Sequence, residues 1–151
     1  MKNIIDRLNH WIARVPERFS VLSETEVSLR PQPHKWSKKE ILGHLCDSAL
    51  NNLQRFIRAQ YEEQPQTVIK YAQDEWVRLM GYQELPLEHV LSLWVSLNTQ
   101  VAAIIKNIPE EKLQSTYPFS DGKHVTLEWM IRDYVDHLEH HLRQIFGKEI
   151  Y

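Results

Sequence analysis

The chain has 151 residues, a formal net charge of −2 and a pI near 6.4, with 42% hydrophobic and 25% charged residues. That is length for one domain, residues 1–151, with a proper core, and the charge balance leaves no electrostatic footprint for nucleic acid. Four glycines argue against an all-β sandwich, no glycine-rich phosphate loop is present, and the single cysteine, Cys46, excludes an internal disulfide and fits a reducing cytoplasm.

The N-terminus, Met1 to His10, carries charges where a secretory leader needs an apolar stretch, and no apolar run approaches membrane-spanning length. A cytoplasmic protein with no membrane segment is the expectation. Residues 2–24 read as a first helix, because Ile4, Ile5, Leu8, Trp11, Ile12 and Val15 recur at three- and four-residue spacing. Pro16 either kinks it or divides it from a short piece through Phe19 and Leu22. Pro31 and Pro33 make residues 29–35 a loop, with His34 on its surface.

Ser37 and Glu40 form a capping box, so a second helix begins with Ser37 as its N-cap and runs to about Glu62. Trp36 can staple onto Ile41. Leu42, Leu45, Cys46, Ala49, Leu53, Phe56 and Ile57 make the apolar face, and Cys46 reads as a small core residue. His44 lies off that face, in line with Ser48, Asn51 and Arg55. The stripe is either solvated or one wall of a polar cleft. Beyond Gln64-Pro65, a short helix over Ala72 to Met80 ends at Gly81. Trp76 and Met80 cover one end of the core or form the lid of a pocket.

Pro86 opens a third long helix, to about Asn107, with a broad apolar face that includes Val90, Trp94, Val101 and Ile105. Residues 109–125 form a connection in which Tyr117 to Val125 reads as a small hairpin. His124 is a ligand candidate by residue type only. Thr126 caps the last helix, which ends at Gly147. Four long amphipathic helices read as an all-α four-helix bundle, a fold that often holds metals between facing helices.

The last helix carries His137, His140 and His141. Counting 100° per residue from Trp129, the apolar side chains fill an arc from about 100° to 260°. His137 falls at about 80° and His141 at about 120°, on the rim of that arc, and His140 at about 20°, among Asp136, Arg143 and Arg132. His137 and His141, four apart, can therefore aim at one point, either as metal ligands or as two partly buried, hydrogen-bonded histidines.

Trp36-Ser37-Lys38-Lys39-Glu40-Ile41-Leu42-Gly43-His44-Leu45-Cys46-Asp47-Ser48 resembles the second-helix motif of the DinB-like superfamily, which includes YfiT-like proteins classed as metal-dependent hydrolases. Phe119 to Ile131, followed by His137 and His141, is similar to the matching last-helix motif, and the resemblance covers essentially the whole chain. It implies an up-down-down-up bundle holding a divalent metal (nickel, zinc or similar) on three histidines. The early one matches His44 and the late pair matches His137 and His141. It also implies a homodimer, and relatives that are low-molecular-weight-thiol S-transferases using bacillithiol or mycothiol.

Three neutral nitrogens leave a coordination position open, the catalytic rather than the closed pattern, and a metal there would lower the pKa of a bound water or thiol. Asp133, four residues before His137, and Asp47, three after His44, are candidates to orient the ligands. Arg55 is a candidate for binding a carboxylate of a thiol cofactor, and Trp76 for a pocket wall. No HExxH supplies a general base. The sequence thus supports a metal-dependent hydrolase or thiol S-transferase acting on a small molecule. The alternative is a non-catalytic stress-response metal-binding bundle. The family name hints at DNA, but the acidic balance speaks against it.

Overall fold

Four long helices carry the apolar stripes of the sequence, and shorter pieces close the gaps between them. The structure is a computed structural model that describes residues 1–62 and 67–148; the break expected at Gln64-Pro65 and the last three residues of the expected domain lie outside them. In chain order the elements are α1 (Lys2–Phe19), α2 (Glu24–Ser28), α3 (Lys38–Tyr61), α4 (Gln73–Met80), a 3-10 turn (Tyr82–Glu84), α5 (Leu87–Asn107), α6 (Glu110–Leu113), β1 (Thr116–Pro118), β2 (His124–Thr126) and α7 (Leu127–Phe146).

Side-chain contacts give the directions of the four long helices. Arg7 reaches Asp136 and Glu139 while Phe19 packs on Phe146, so α1 and α7 run parallel. His44 meets His137 while Phe56 meets Tyr134, so α3 runs against α7. Cys46 meets the Val90 carbonyl, and Tyr134, which touches Phe56, also bonds Asn98, so α3 and α5 are parallel. This is the up-down-down-up bundle. A parallel α3–α5 pair needs a connection that returns along the length of the bundle, and the segment between them carries α4 and the 3-10 turn.

The first helix is shorter than its periodicity suggests. Pro16 sits inside α1 and neither ends nor divides it; the helix stops at Phe19. Ser23 and Glu26 then form a complete capping box that starts α2, which buries Val27. The boxes at Ser37 and the Thr126 cap form as expected, with Thr126 Oγ1 accepting from the Trp129 N–H at 3.1 Å. The hairpin also forms, with Tyr117 opposite Val125, and the short α6 precedes it where only a connection was expected.

Two features fix the N-terminal half of α3. Arg30 clamps Glu40 through two bonds of 2.9 and 2.6 Å, and Lys39 reaches Glu24 at 2.6 Å, so the loop carrying Trp36 is tied to the helix start. Gly43 lets the Tyr82 ring lie directly on the helix: a Cβ there would meet the ring at 2.2 Å. Tyr82 then donates its hydroxyl to Asp47 at 2.6 Å. As a result α3 is buried nearly all round from Leu42 to Ala49, His44 and Asp47 included. Among the described residues no helix is long and apolar enough to cross a membrane.

Candidate metal centre

α3 and α7 bring His44, His137 and His141 together, with one ligand atom of each within 4.8 Å of the others. His137 Nε2 lies 3.3 Å from His44 Nε2 and 3.1 Å from His141 Nε2. Tetrahedral zinc with Zn–N bonds of about 2.0–2.1 Å separates adjacent nitrogens by about 3.3 Å. Two edges of the cluster therefore already have the spacing of ligands around one ion. His140, expected among solvated charges, is exposed and outside the cluster.

The protonation chemistry points the same way. His141 Nδ1 lies 2.8 Å from Gln144 Oε1, which can only accept, so Nδ1 carries the proton and Nε2 presents a lone pair. Burial, then the neighbouring His141 and His137, pushes His44 down to about 3. Burial, then His141 and His140, pushes His137 down to about 4. His141 is also lowered, by burial against the opposing Gln144 bond. All three are neutral bases at neutral pH, the form that binds metal. Among the described residues His44 Nδ1 and His137 Nδ1 are buried with no hydrogen-bond partner. This donor set fits one divalent ion.

The sequence profile of the DinB superfamily matches residues 8–145. The chain belongs to the DinB superfamily. A Halalkalibacterium halodurans protein, named provisionally as a metal-dependent hydrolase, is 33% identical over 142 residues, covering 89% of this chain and 82% of that one. The bundle superposes on Bacillus subtilis YfiT, described as a probable metal-dependent hydrolase with an unusual four-helix bundle topology. That match has a TM-score of 0.85 and 22% identity, over 95% of this chain and 82% of YfiT. A mycothiol-dependent maleylpyruvate isomerase shares the fold at a TM-score of 0.70 and 14% identity, over 93% of this chain and 59% of the isomerase. This DinB chain therefore shares its fold with proteins named as metal-dependent hydrolases, and its three histidines are where a metal could sit.

Beside the histidines lies a cavity of about 260 Å³, walled by His137, Arg55, Tyr71, Asp133, Phe119 and Trp129 among others. Arg55 and Asp133 thus share a cavity with a candidate ligand. Asp133 makes no hydrogen bond to His137 among the described contacts; burial, then Asp136, raises its carboxyl above the ordinary range. Asp47 is buried and accepts from Tyr82 instead of a histidine, its Oδ2 has no partner, and burial pushes it up to about 6. Trp76 is half-buried and packs edge-on to Tyr71 at 5.4 Å, one layer behind the cavity wall. His124 is exposed on β2 and does not join the cluster, so its candidacy by residue type fails.

Several residues near the centre take roles that the sequence does not assign them. Trp36, expected to staple onto Ile41, lies against the His44 ring at 4.9 Å between centroids and so roofs a candidate ligand. Tyr71, from the α3–α5 connection, lies 6.5 Å from the His44 ring, and burial pushes its phenol up to about 12, leaving an O–H donor in the cavity. Gln144 accepts from His141 and donates its amide to His140 Nε2 at 3.2 Å. Only Gln144 was findable beforehand, as the i+3 neighbour of His141 on one helix.

Proposed function

We propose that this DinB protein holds one divalent metal on His44, His137 and His141 and uses it as a hydrolase or a low-molecular-weight-thiol S-transferase on a small molecule. The observation that supports this reading most is the meeting of three neutral histidines, with His137 Nε2 at ligand spacing from both His44 Nε2 and His141 Nε2, beside a cavity open to a substrate. A closed structural site would fill its fourth position from the protein, and among the described residues no fourth His, Cys, Asp or Glu joins the group. A metal bound there would lower the pKa of a water or thiol at the open position.

The chain's own residues supply the rest. Gln144 holds His141 in the tautomer that keeps Nε2 free. Trp36 and the α3 packing exclude water from the His44 side. Tyr71 offers a protonated phenol to the cavity. The naming of the H. halodurans relative favours hydrolysis, and the thiol dependence of the isomerase neighbour favours transfer.

Elemental analysis of untagged protein comes first, followed by cobalt substitution. Adding a low-molecular-weight thiol should shift the visible cobalt spectrum, and a screen of thiols with electrophilic substrates should show transfer or hydrolysis. A spectrum indifferent to thiol and to water exchange would remove the enzymatic reading and leave the non-catalytic stress-response bundle. The proposal includes a homodimer in the cytoplasm; a single species at 18.0 kDa in sedimentation equilibrium would remove the dimer.

A further inference from the structure

Arg55 is a half-buried cation whose hydrogen bonds, among the described residues, go only to neutral acceptors. Its Nη2 donates to the Ile69 carbonyl at 2.9 Å and its Nη1 to Asn52 Oδ1 at 3.4 Å. No carboxylate of a described residue stands within ion-pair distance of it, in contrast to Arg7, Arg14, Arg30, Arg58, Arg78, Arg132 and Arg143. A guanidinium has five N–H donors, and a partly desolvated one is stabilised by an anion. Burial, the largest influence, lowers its pKa, and Tyr71 and then Asp133 partly offset it.

Arg55 lines the same cavity as His137, and the exposed Lys70 lies on its rim. Among the described residues Asp133 is the only carboxylate in the wall. Neutral imidazole ligands would leave the charge of a bound dication uncompensated, adding to this positive balance. Opposite the charges stand apolar surfaces: Phe119 and Trp129 meet edge to face at 6.0 Å, with Met130 beside them.

We infer that the cavity takes a small carboxylate-bearing substrate, its carboxylate on the Arg55 guanidinium and its apolar body against Phe119 and Trp129. The inference deepens the proposed function and rests on it only for where the reacting end lies. Arg55 is then a specificity-determining residue, and its bond to Ile69 positions the guanidinium from the crossover segment.

Calorimetric titration with phenylacetate and its neutral isostere phenylacetamide tests this, on metal-loaded and on chelator-treated protein. The wild-type chain should bind the acid about tenfold more tightly than the amide in both forms. In Arg55→Gln the ratio should fall to near one while the amide affinity is unchanged, and Arg55→Lys should lie between. A purely structural arginine would weaken both probes together and leave the ratio intact, which overturns the inference. So does a wild type that binds neither probe or shows no preference. A preference that survives Arg55→Gln but vanishes on chelation puts the carboxylate on the metal, overturning the inference while the metal site stands. Should Arg55→Gln fail to fold, the chelator-treated wild type decides, since loss of preference there also overturns it. A preference dependent on Arg55 in both forms stands even if every thiol and hydrolysis screen is blank.

Discussion

α7 carries two buried polar clusters on opposite edges of its apolar face, and they are built on opposite principles. On the α1 side Glu139, only 3% exposed, receives Arg7 through two bonds of 3.0 and 2.7 Å and the Trp11 indole N–H at 3.0 Å. Arg7 is held well above its usual range, chiefly by the Glu139 bond. Charge meets opposite charge, so that cluster is finished. On the α3 side three neutral bases face one another, and two of their outer nitrogens have no partner. Buried polar groups are normally satisfied, so a finished cluster reads as architecture and an unfinished one as a site.

The contrast predicts which lesions separate metal binding from stability. Replacing His44, His137 or His141 by Ala should weaken metal affinity more than about 100-fold, beyond the usual cost of losing an outer partner. Competition against a chromophoric chelator measures it. Equal affinity in His141→Ala and wild type would dissolve the ligand assignment. His141→Ala, the variant at the edge of the cluster, should melt near the wild-type temperature in chelator, whereas His44→Ala also leaves a cavity beneath Trp36.

Glu139→Ala should do the reverse. It removes two Arg7 bonds and the acceptor of the Trp11 N–H, at a cost of about 2–3 kcal/mol, moderated because Arg7 keeps Asp136 and its side chain, 29% exposed, can rehydrate. Urea unfolding reads that loss, and metal affinity should stay within about twofold. A large fall in affinity would show that the two edges of α7 are coupled after all.

The caps at Ser37 and Thr126 are local hydrogen bonds between neighbours in the chain, so residue type alone places them. His137 and His141 are legible by helical phase because α7 has one buried arc. His44 is not, because α2, α5, α7, α4 and the 3-10 turn all contact α3 and bury it on several sides, and a wheel assumes one. The resemblance to a family motif supplied what phase could not. Asp136 looked like a solvated charge beside His140, yet it pairs with Arg7 from the other end of the sequence. Long-range pairs of that kind, Tyr82 with Asp47 among them, leave no trace in local periodicity.

Acid should sharpen the contrast in the metal-free protein. An unfolded histidine takes a proton near its ordinary pKa of about 6.5. The folded chain holds His44 near 3 and His137 near 4, so between those limits the unfolded state binds more protons and stability falls as pH falls. Asp47, raised to about 6 from 3.8, opposes this over its own window, so the clearest loss lies just below 6.5. Urea midpoints at pH 7 and pH 6 in chelator test the sign, and a midpoint that rises on acidification would contradict neutral buried histidines. Bound metal should delay the loss, since protons and metal compete for the same nitrogens.

The smallest expected effect lies at the seam between the unfinished cluster and solvent. Gln144 is exposed, and its removal costs no core packing. Its Oε1 is nevertheless the acceptor that keeps the His141 proton on Nδ1. Without it the imidazole can spend part of its time in the tautomer that places the proton on Nε2, where it blocks ligation. Gln144→Ala should therefore lower metal affinity by about tenfold, the lower end of the range for outer partners, and leave the melting temperature of the apo protein unchanged. His140→Ala touches the same glutamine from its amide side only. It leaves the Oε1 acceptor in place and should change affinity by less than about twofold. If His140→Ala instead matched Gln144→Ala, the glutamine would be acting through the His140 bond and not through the tautomer of His141.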